Sequence, residues 1–356
     1  MSLELEKNKF PETVIKVVGI GGGGGRAVTN MIMMGMEGVD FIVANTDAQD
    51  LDVSQAESRV LLGVRIEKGV GAGANPDVGR SAALENADQI SGLLSGVDMV
   101  FVVAGMGGGT GTGGAPVVAQ LARESGALVI GVATKPFSFE GKKKMRVAKA
   151  GLDKLREHVD ALITIPNQRL LDMVCKDTTV DDAFRKADDV LLQAVRSISD
   201  LINLHYQINL DFQDVKTVMG NSGMALMGTG MASGENRAVE AAQKAISSPL
   251  LEDLSIQGAR GVIINFAAAN KVTLHELSEA VDLIQEEAYE NADVIWGCVI
   301  DDSLADNLRV TVIATGFDSN DNTIASNVDK LQQPEKRVDF SEDDFEIPEF
   351  IRRQLD

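Results

Sequence analysis

The sequence predicts an α/β protein with a doubly wound parallel sheet, followed by a smaller α/β domain. Short apolar runs rich in β-branched residues alternate with helical patterns in the first half of the chain, as in parallel sheets covered by helices on both faces. A long amphipathic pattern then separates this half from a second group of apolar runs. The length of 356 residues and the hydrophobic content of 44% suffice for about two domains with apolar cores.

Four apolar runs are interpreted as strands of the first domain: residues 14–20, 41–45, 97–104 and 127–133. Polar residues follow two of them, Asn45 and Asp47 after the second run and Thr134 after the fourth. Ligands of doubly wound sheets bind beyond the carboxyl ends of the strands. The sequence therefore places the functional site at this edge.

Two glycine-rich stretches follow predicted strands. Residues 104–116, AGMGGGTGTGGAP, hold seven glycines, and residues 21–25 are all glycine. Each stretch is predicted to form a loop before a helix, one helix beginning at Pro116 and the other near Ala27. Such loops present backbone N–H groups and a helix dipole to one point, which is typical of phosphate binding. Thr110 and Thr112 are expected to add hydroxyl donors, and the glycine-rich residues 69–76 to cover the same site.

A long helix is predicted from Thr179, which stands in capping-box spacing with Asp182. Its apolar stripe consists of Val190, Leu191, Ala194, Val195, Ile198, Leu201 and Ile202. Runs at 261–266, 294–299 and 309–314 predict a smaller sheet, with helices at 236–246 and 274–290. The predicted boundaries are 1–178 for the first domain, 179–205 for the helix, 206–316 for the second domain, 317–344 for a disordered linker and 345–356 for a terminal segment.

The net charge of −20 argues against nucleic acid as a partner, because binding it needs a clustered basic face. Apolar runs stay shorter than the ~18 residues that span a bilayer, and the charged amino terminus does not resemble a signal peptide. A cytoplasmic protein is expected. Cys175 and Cys298 lie far apart without a CxxC motif, so neither a disulfide framework nor a metal site is predicted.

The glycine stretches leave two classes of nucleotide site open. Neither carries the lysine of a Walker P-loop. Residues 19–24 fit GxGxxG, and Asn45 or Asp47 lies about where a ribose-binding acid of a dinucleotide enzyme would stand. A nicotinamide-dependent oxidoreductase therefore stays possible, but it leaves the glycines of residues 107–113 unexplained, whereas a nucleoside triphosphate would use both stretches.

The sequence GGGTGTG at 107–113 resembles the tubulin signature, and the motifs around it resemble those of the FtsZ family of bacterial cell-division GTPases. These motifs are NTDA at 45–48, GAGANP at 71–76, TKPFSFE at 134–140, ITIPN at 163–167, NLDFQDV at 209–215 and EIPEFIRRQ at 346–354. The resemblance implies a tubulin-like two-domain fold, with a GTP-binding domain, a central helix and a carboxy-terminal polymerisation domain. It also implies Mg²⁺, head-to-tail protofilaments with GTP between subunits, and a mid-cell division ring beneath the inner membrane.

The resemblance assigns site residues by position. It implies that phosphate is held by Gly22, Gly23, Gly24, Gly25, Arg26, Gly109, Thr110 and Gly111. Glu140 and Lys144 are expected near the ribose and phosphates, and Asp189, with Phe184 beside it, is expected to recognise guanine. Further expected nucleotide contacts are Asn45, Ala72, Gly73, Gly105, Gly108, Thr134 and Asn167. Arg26 stands where the family usually has Asn, and Lys144 replaces the usual Arg, which keeps the charge but loses the planar fork.

Catalytic groups are implied in the motif at 209–215, where Asp211, Asp214 and Asn209 would reach the GTP of a neighbouring subunit. Asp211 and Asp214 also have the spacing of a helix cap, and both roles are compatible. The preceding residues 204–207 lack the family's usual glycine break, and His205 is interpreted as structural. An assembly protein that binds GTP without turnover remains the alternative, although these two acids argue against it.

The terminal residues 345–354 resemble the family's docking peptide. The resemblance implies that they bind membrane-anchoring division proteins such as FtsA or ZipA. Pro348 at the start of a short helix would present Ile347, Phe350 and Ile351 together to a partner groove.

Overall fold

Strands and helices alternate in the first half of the computed structural model, which describes residues 13–64, 69–171, 178–203, 210–251, 256–269 and 272–317. The strands of this half are β1 Ile15–Ile20, β2 Asp40–Asn45, β3 Ser58–Leu61, β4 Met99–Gly105, β5 Leu128–Lys135 and β6 Ala161–Pro166. The helices are α1 Gly21–Met33, α2 Ala48–Asp52, α3 Pro76–Glu85, α4 Ala87–Leu94, α5 Thr110–Glu124, α6 Lys142–Arg156 and α7 Asn167–Leu170. All four predicted strands of this half are present.

The long helix α8, Val180–Asn203, leads into the second half of the chain. The elements that follow are α9 Phe212–Met219, β7 Gly223–Ser233, α10 Arg237–Ile246, β8 Gly261–Ala268, α11 Leu274–Glu287, β9 Asp293–Ile300 and β10 Asn307–Thr315. Strand β7 was not predicted, because its glycines and alanines have weak strand propensity. A side chain at Gly230 would meet the carbonyl oxygen of Ala241 at 2.1 Å, so close packing of α10 on β7 requires glycine there.

The strands form one sheet of ten, in the order β3-β2-β1-β4-β5-β6-β7-β10-β8-β9. The pairs of the first half are parallel, whereas β10 is antiparallel to both β7 and β8. The sequence predicted a separate smaller sheet for the second half. Instead, β6 pairs with β7 over three residues, Ala161 with Gly223, Leu162 with Met224 and Ile163 with Ala225, and this short ladder makes the sheet continuous.

Helix α8 packs on one face of this sheet and contributes to a single core with residues from both halves. Its buried side chains include Val190, Leu191, Ala194, Val195 and Ile198, in agreement with the predicted apolar stripe. The same core contains Val17 and Phe101 from the first half and Ile263 and Ile313 from the second. In the described part of the chain, α8 is not apolar enough to cross a membrane, and neither is any other helix.

Both glycine-rich stretches contribute to helices where loops were predicted, the first over residues 21–25 and the second over residues 110–116. Helix α1 begins at Gly21 and α5 at Thr110, so Pro116 lies inside α5 and not at its first residue. Glycine is a poor helix former, but the tertiary contacts here exclude any side chain. A Cβ atom at Gly113 would lie 1.9 Å from the carbonyl oxygen of Pro76, so α5 can pack against α3 only through bare backbone.

Candidate functional site

A cleft of about 350 Å³ opens at the carboxyl ends of β1, β4, β5 and β6. Strand β1 lies between β2 and β4, where the order of the strands reverses, which is the usual ligand position in such sheets. The cleft is lined by Ile20, Gly21, Gly22, Gly23, Arg26, Gly105, Met106, Gly108, Gly109, Thr110, Gly111, Thr134, Pro136, Glu140, Lys144, Asn167, Phe184, Ala187, Asp188 and Leu191. The predicted edge of the sheet is therefore where the predicted residues meet.

Two helix amino termini point into one end of this cleft. Helix α1 starts directly after β1, and α5 starts after the β4 loop, at Thr110. Neither helix has a side-chain hydrogen bond at its N-cap or an acidic residue in its first turn. Their first backbone N–H groups thus have no capping acceptor from a side chain, and both dipoles present positive charge. This end of the cleft suits a polyphosphate.

The two threonines of the second glycine stretch differ in position. Thr110 lines the cleft, and its hydroxyl lies 2.6 Å from the hydroxyl of Thr46. The hydroxyl of Thr112 instead accepts a hydrogen bond from the backbone N–H of Gly107, at 2.8 Å. Thr112 therefore stabilises the turn after β4, and the expectation that it faces the ligand is wrong.

An ion pair lines the wall beside the phosphate end. Lys144 Nζ lies 2.5 Å from Glu140 Oε2, one helical turn apart. The other oxygen of Glu140 accepts a hydrogen bond from the backbone N–H of Phe137, at 2.8 Å. The carboxylate is thereby held in place, while the Lys144 side chain is 42% exposed and able to reach an anion.

The opposite end of the cleft is formed by α8. Asp188 is buried there and pairs with Arg26, through Nε to Oδ2 at 2.6 Å and Nη2 to Oδ1 at 3.3 Å. Burial raises the pKa of Asp188, and the charge of Arg26 opposes this rise without cancelling it. The guanidinium also lies 5.0 Å from the centre of the Phe184 ring. Asn167 has a buried side-chain oxygen without a hydrogen-bond donor, so this end offers an unused acceptor.

Asp189 does not line the cleft. Its carboxylate accepts a hydrogen bond from Asn30 Nδ2 at 3.1 Å, and it borders a different cavity of about 560 Å³ with Arg196 and Asp200. Consecutive residues of a helix point about 100° apart, so only one of the two aspartates can face the cleft. The residue that does so is Asp188, and the assignment of the cleft carboxylate is corrected accordingly.

Five other predicted contacts lie outside the cleft lining. Gly24 packs against β4, where a Cβ atom would lie 2.3 Å from the carbonyl oxygen of Val103, and a Cβ atom on Gly25 would meet Val43. Asn45 is buried and donates to Asp50 Oδ2 at 2.9 Å. The remaining two, Ala72 and Gly73, belong to the segment before α3, in which Ala72 contacts Gly109.

Seven lining residues were missed by the sequence reasoning: Ile20, Gly21, Met106, Pro136, Ala187, Asp188 and Leu191. A pattern in the sequence could have found three of them. Phe184 was predicted at the site, and positions three, four and seven residues beyond it on the same helix share its face. Those positions are Ala187, Asp188 and Leu191.

The predicted catalytic acids lie apart from the cleft lining, at the start of α9. Asp211 is the N-cap, and its side chain accepts a hydrogen bond from the backbone N–H of Asp214 at 2.9 Å. Both side chains are exposed. The predicted cap is therefore present. Asn209, His205 and Cys175 lie outside the described residues, and burial raises the pKa of the half-buried Cys298.

Comparisons with known proteins give the family of this chain. The model of the tubulin/FtsZ family GTPase domain matches residues 14–175, and that of the FtsZ family carboxy-terminal domain matches residues 223–318. A solved FtsZ dimer of M. jannaschii is 42% identical, with a TM-score of 0.83 over 86% of this chain and 89% of that one.

Two more distant structures from Haloferax volcanii share the fold. The GDP-bound monomer CetZ1 is 21% identical, with a TM-score of 0.75 over 90% of this chain and 100% of its own. CetZ2, in a GTPγS-bound protofilament, is 18% identical, with a TM-score of 0.72 over the same shares. With both domain models matched in order and 42% identity to an FtsZ structure, the chain belongs to the FtsZ family of tubulin-like proteins, which bind guanine nucleotide and hydrolyse GTP.

Proposed function

We propose that the chain assembles head to tail into protofilaments and hydrolyses GTP between subunits, within a ring that divides the cell. The observation that carries the nucleotide assignment is one cleft with two uncapped helix amino termini at one end and the buried Asp188 carboxylate at the other. Polymerisation is supported by the protofilament of CetZ2 and the dimer of M. jannaschii FtsZ.

The base end of the cleft suits guanine. The guanine edge carries two adjacent N–H donors, and Asp188 offers two adjacent carboxylate oxygens. Adenine would place an unprotonated ring nitrogen against the same carboxylate, which is unfavourable. The ring of Phe184 lines the cleft and would contact the base, and the unpartnered Asn167 oxygen would accept a further hydrogen bond from the base or ribose.

The phosphate end supplies backbone donors and one mobile cation. The N–H groups at the starts of α1 and α5 would bind the phosphates, with Lys144 adding charge and Glu140 accepting from a ribose hydroxyl. We propose that Mg²⁺ is held mainly by the phosphates and water, as is usual for this ion. The Thr110 hydroxyl is the neighbouring protein oxygen that fits as a ligand, and the ion would neutralise charge on the γ-phosphate.

Hydrolysis needs a group that orients the attacking water. Asp211 uses one carboxylate oxygen to cap α9, which fixes its position and leaves the other oxygen for a water molecule. Because Asp211 and Asp214 are exposed and lie outside the cleft lining, we infer that they act on the nucleotide of the next subunit. Asn209 is proposed to assist them.

The test is GTP turnover per subunit measured across protein concentration. Activity should rise steeply above an assembly threshold and be nearly absent below it, because acid and nucleotide belong to different subunits. Asp211→Asn keeps a good N-cap but removes the negative charge, so it should bind GTP normally, hydrolyse it at least tenfold more slowly (about 1.4 kcal/mol of lost transition-state stabilisation), and form longer-lived filaments.

Asp211→Ala serves as the comparison, since it removes the cap as well. It should lose a further ~1 kcal/mol of stability without a further loss of turnover at a temperature where both variants are folded. Turnover in Asp211→Asn equal to that of the wild type, or wild-type activity independent of concentration, would refute hydrolysis between subunits.

We also propose that residues 345–354 connect the filament to membrane-anchoring division proteins such as FtsA or ZipA. The segment lies outside the described residues, and the proposal rests on its sequence, in which Phe345, Ile347, Phe350 and Ile351 return after an acidic, polar stretch. Apolar side chains in a stretch otherwise rich in charged residues are typical of segments that bind a partner groove.

A further inference from the structure

Arg26 occupies an unexpected place in the cleft. It follows five glycines that begin α1, and the sequence predicted it among the phosphate ligands. Its guanidinium instead makes two hydrogen bonds to Asp188 and lies over the Phe184 ring, 5.0 Å from its centre. The Arg26 side chain is 51% exposed, whereas that of Asp188 is 5% exposed. The contact therefore joins a half-exposed side chain to a buried one.

These contacts are the ones that a guanine base would make. A guanidinium is planar and presents parallel N–H donors to a carboxylate, and the edge of guanine does the same with its ring N–H and exocyclic amine. Both groups also pack on aromatic rings. Both groups would present their paired donors to the same two oxygens of Asp188, so we treat them as alternative partners of that carboxylate.

We propose that Arg26 is an internal competitor for guanine, which holds Asp188 and Phe184 until the base displaces it and which sharpens the selection of guanine over adenine. The proposal deepens the proposed function, since it rests on Asp188 as the group that recognises the base. The competitor role itself is inferred from the contacts that Arg26 makes with Asp188 and Phe184.

The preference for guanine over adenine follows from the hydrogen bonds that each base can donate to Asp188. Any base that enters must break the pair between Arg26 and Asp188. Guanine replaces the lost hydrogen bonds with two of its own, whereas adenine leaves a buried carboxylate without donors, which is costly. Without Arg26, the carboxyl group would be buried beside Asp189 with no cation paired to it. A proton would then bind more readily, and a protonated carboxyl group can donate to adenine.

Competition lowers the fraction of molecules that are ready to bind. If Arg26 holds Asp188 for about two-thirds to nine-tenths of the time, the apparent Kd for GDP is roughly three- to tenfold higher than without it. The effect falls on the association rate constant, because dissociation begins from a complex in which the pair is already broken.

The experiment measures association and dissociation of fluorescently labelled GDP on the full chain stripped of nucleotide. Arg26→Ala and Arg26→Asn should raise the association rate constant about three- to tenfold, leave the dissociation rate constant unchanged, and reduce the preference for GDP over ADP. Arg26→Lys should lie between these variants and the wild type. Arg185→Ala is the charge-matched control, because Arg185 is exposed on α8 and pairs with Asp181 at 3.5 Å.

Combining the Arg26 and Asp188 substitutions tests whether the effect of Arg26 depends on its pairing with Asp188. In Asp188→Asn, replacing Arg26 with Ala should change GDP association less than twofold, since the pair is already lost. Unchanged association in both single Arg26 variants, or faster dissociation that shows a direct contact of Arg26 with bound nucleotide, would overturn the competitor role while leaving the proposed function intact. Failure of the wild type to bind GDP would overturn both.

Discussion

Two adjacent aspartates on α8 have different environments. Asp188 is 4% exposed and pairs with Arg26 inside the cleft, whereas Asp189 accepts a hydrogen bond from Asn30 outside it. They are chemically identical and adjacent in sequence, so they form a matched pair for substitution. Position around the helix axis, and not residue type, decides which one can contact a nucleotide.

Asp188→Asn should weaken GTP binding about tenfold or more, because a charge-assisted pair of hydrogen bonds is worth ~1.5–3 kcal/mol. It should also narrow the preference for GTP over ATP. Asp189→Asn should change both quantities less than twofold. Competition binding with GTP and ATP on the three proteins measures this. A loss of GTP affinity in Asp189→Asn but not in Asp188→Asn would show that Asp189 recognises the base.

At the scale of elements, α8 joins the two halves of the chain. Its apolar stripe packs against strands of both halves, and Asn265 of β8 donates to the carbonyl oxygen of Ser197 at 2.7 Å. Next to this contact, Asp200 lies in the cavity of about 560 Å³, with Arg196 on the same helix and Arg309 and Asp301 from the second half. Burial raises the pKa of Asp200 to about 6, and the two arginines only partly oppose this effect.

The raised pKa of Asp200 gives a pH dependence of stability with a definite sign. The folded protein holds the proton more tightly than the unfolded chain, so stability is lost as pH rises from about 4 through about 6. Asp200→Asn should be more stable than the wild type at pH 8, by on the order of 1–3 kcal/mol. The difference should shrink towards zero near pH 4.

Denaturant unfolding at about pH 4.5, 6 and 8 measures the effect. These pH values lie within and above the range between the ordinary and the raised pKa of Asp200, over which the stability is expected to change. Asp282→Asn is the control for the removal of one carboxylate, because Asp282 is exposed on α11, and it should not reproduce the gain in stability that Asp200→Asn shows at pH 8. A gain for Asp200→Asn that grew as pH fell would contradict burial as the dominant influence on Asp200.

At the scale of the whole molecule, the acidic chain, with its net charge of −20, disfavours direct adsorption to anionic lipid. A filament at the membrane would therefore need an adaptor. The sequence predicts a linker at residues 317–344, and a flexible chain of that length would reach on the order of 30 Å, enough to separate filament and membrane without fixing their angle.

Deleting residues 345–356 should leave GTP-dependent filaments intact and abolish their co-sedimentation with vesicles that carry a membrane-anchoring partner, because the apolar side chains of the peptide are lost. Deleting residues 325–336 removes an equal length of linker and should preserve binding. Pelleting assays with and without GTP separate the two effects. Undiminished vesicle binding after the terminal deletion would contradict the docking role.

The sequence predicted the fold class, the position of the site and most of its lining. Apolar runs with β-branched residues predicted β1, β2, β4 and β5, because burial on both faces of a parallel sheet requires such runs. Phe184 and most of the predicted glycines line the cleft, whereas Gly24 and Gly25 pack against neighbouring strands. Strand β7 and the helical state of the glycines could not be predicted, since local propensity opposes both and close packing overrides it.

What the sequence by itself determined is the alternation of strand and helix and the identity of the groups at the sheet edge, because periodicity and residue chemistry are local properties. The tertiary structure decided two further matters: the joining of both halves into one sheet through β6 and β7, and the pairing of Arg26 with the cleft carboxylate. Each depends on distances between residues far apart in the chain, such as the 162 positions that separate Arg26 from Asp188. Only packing fixes such distances.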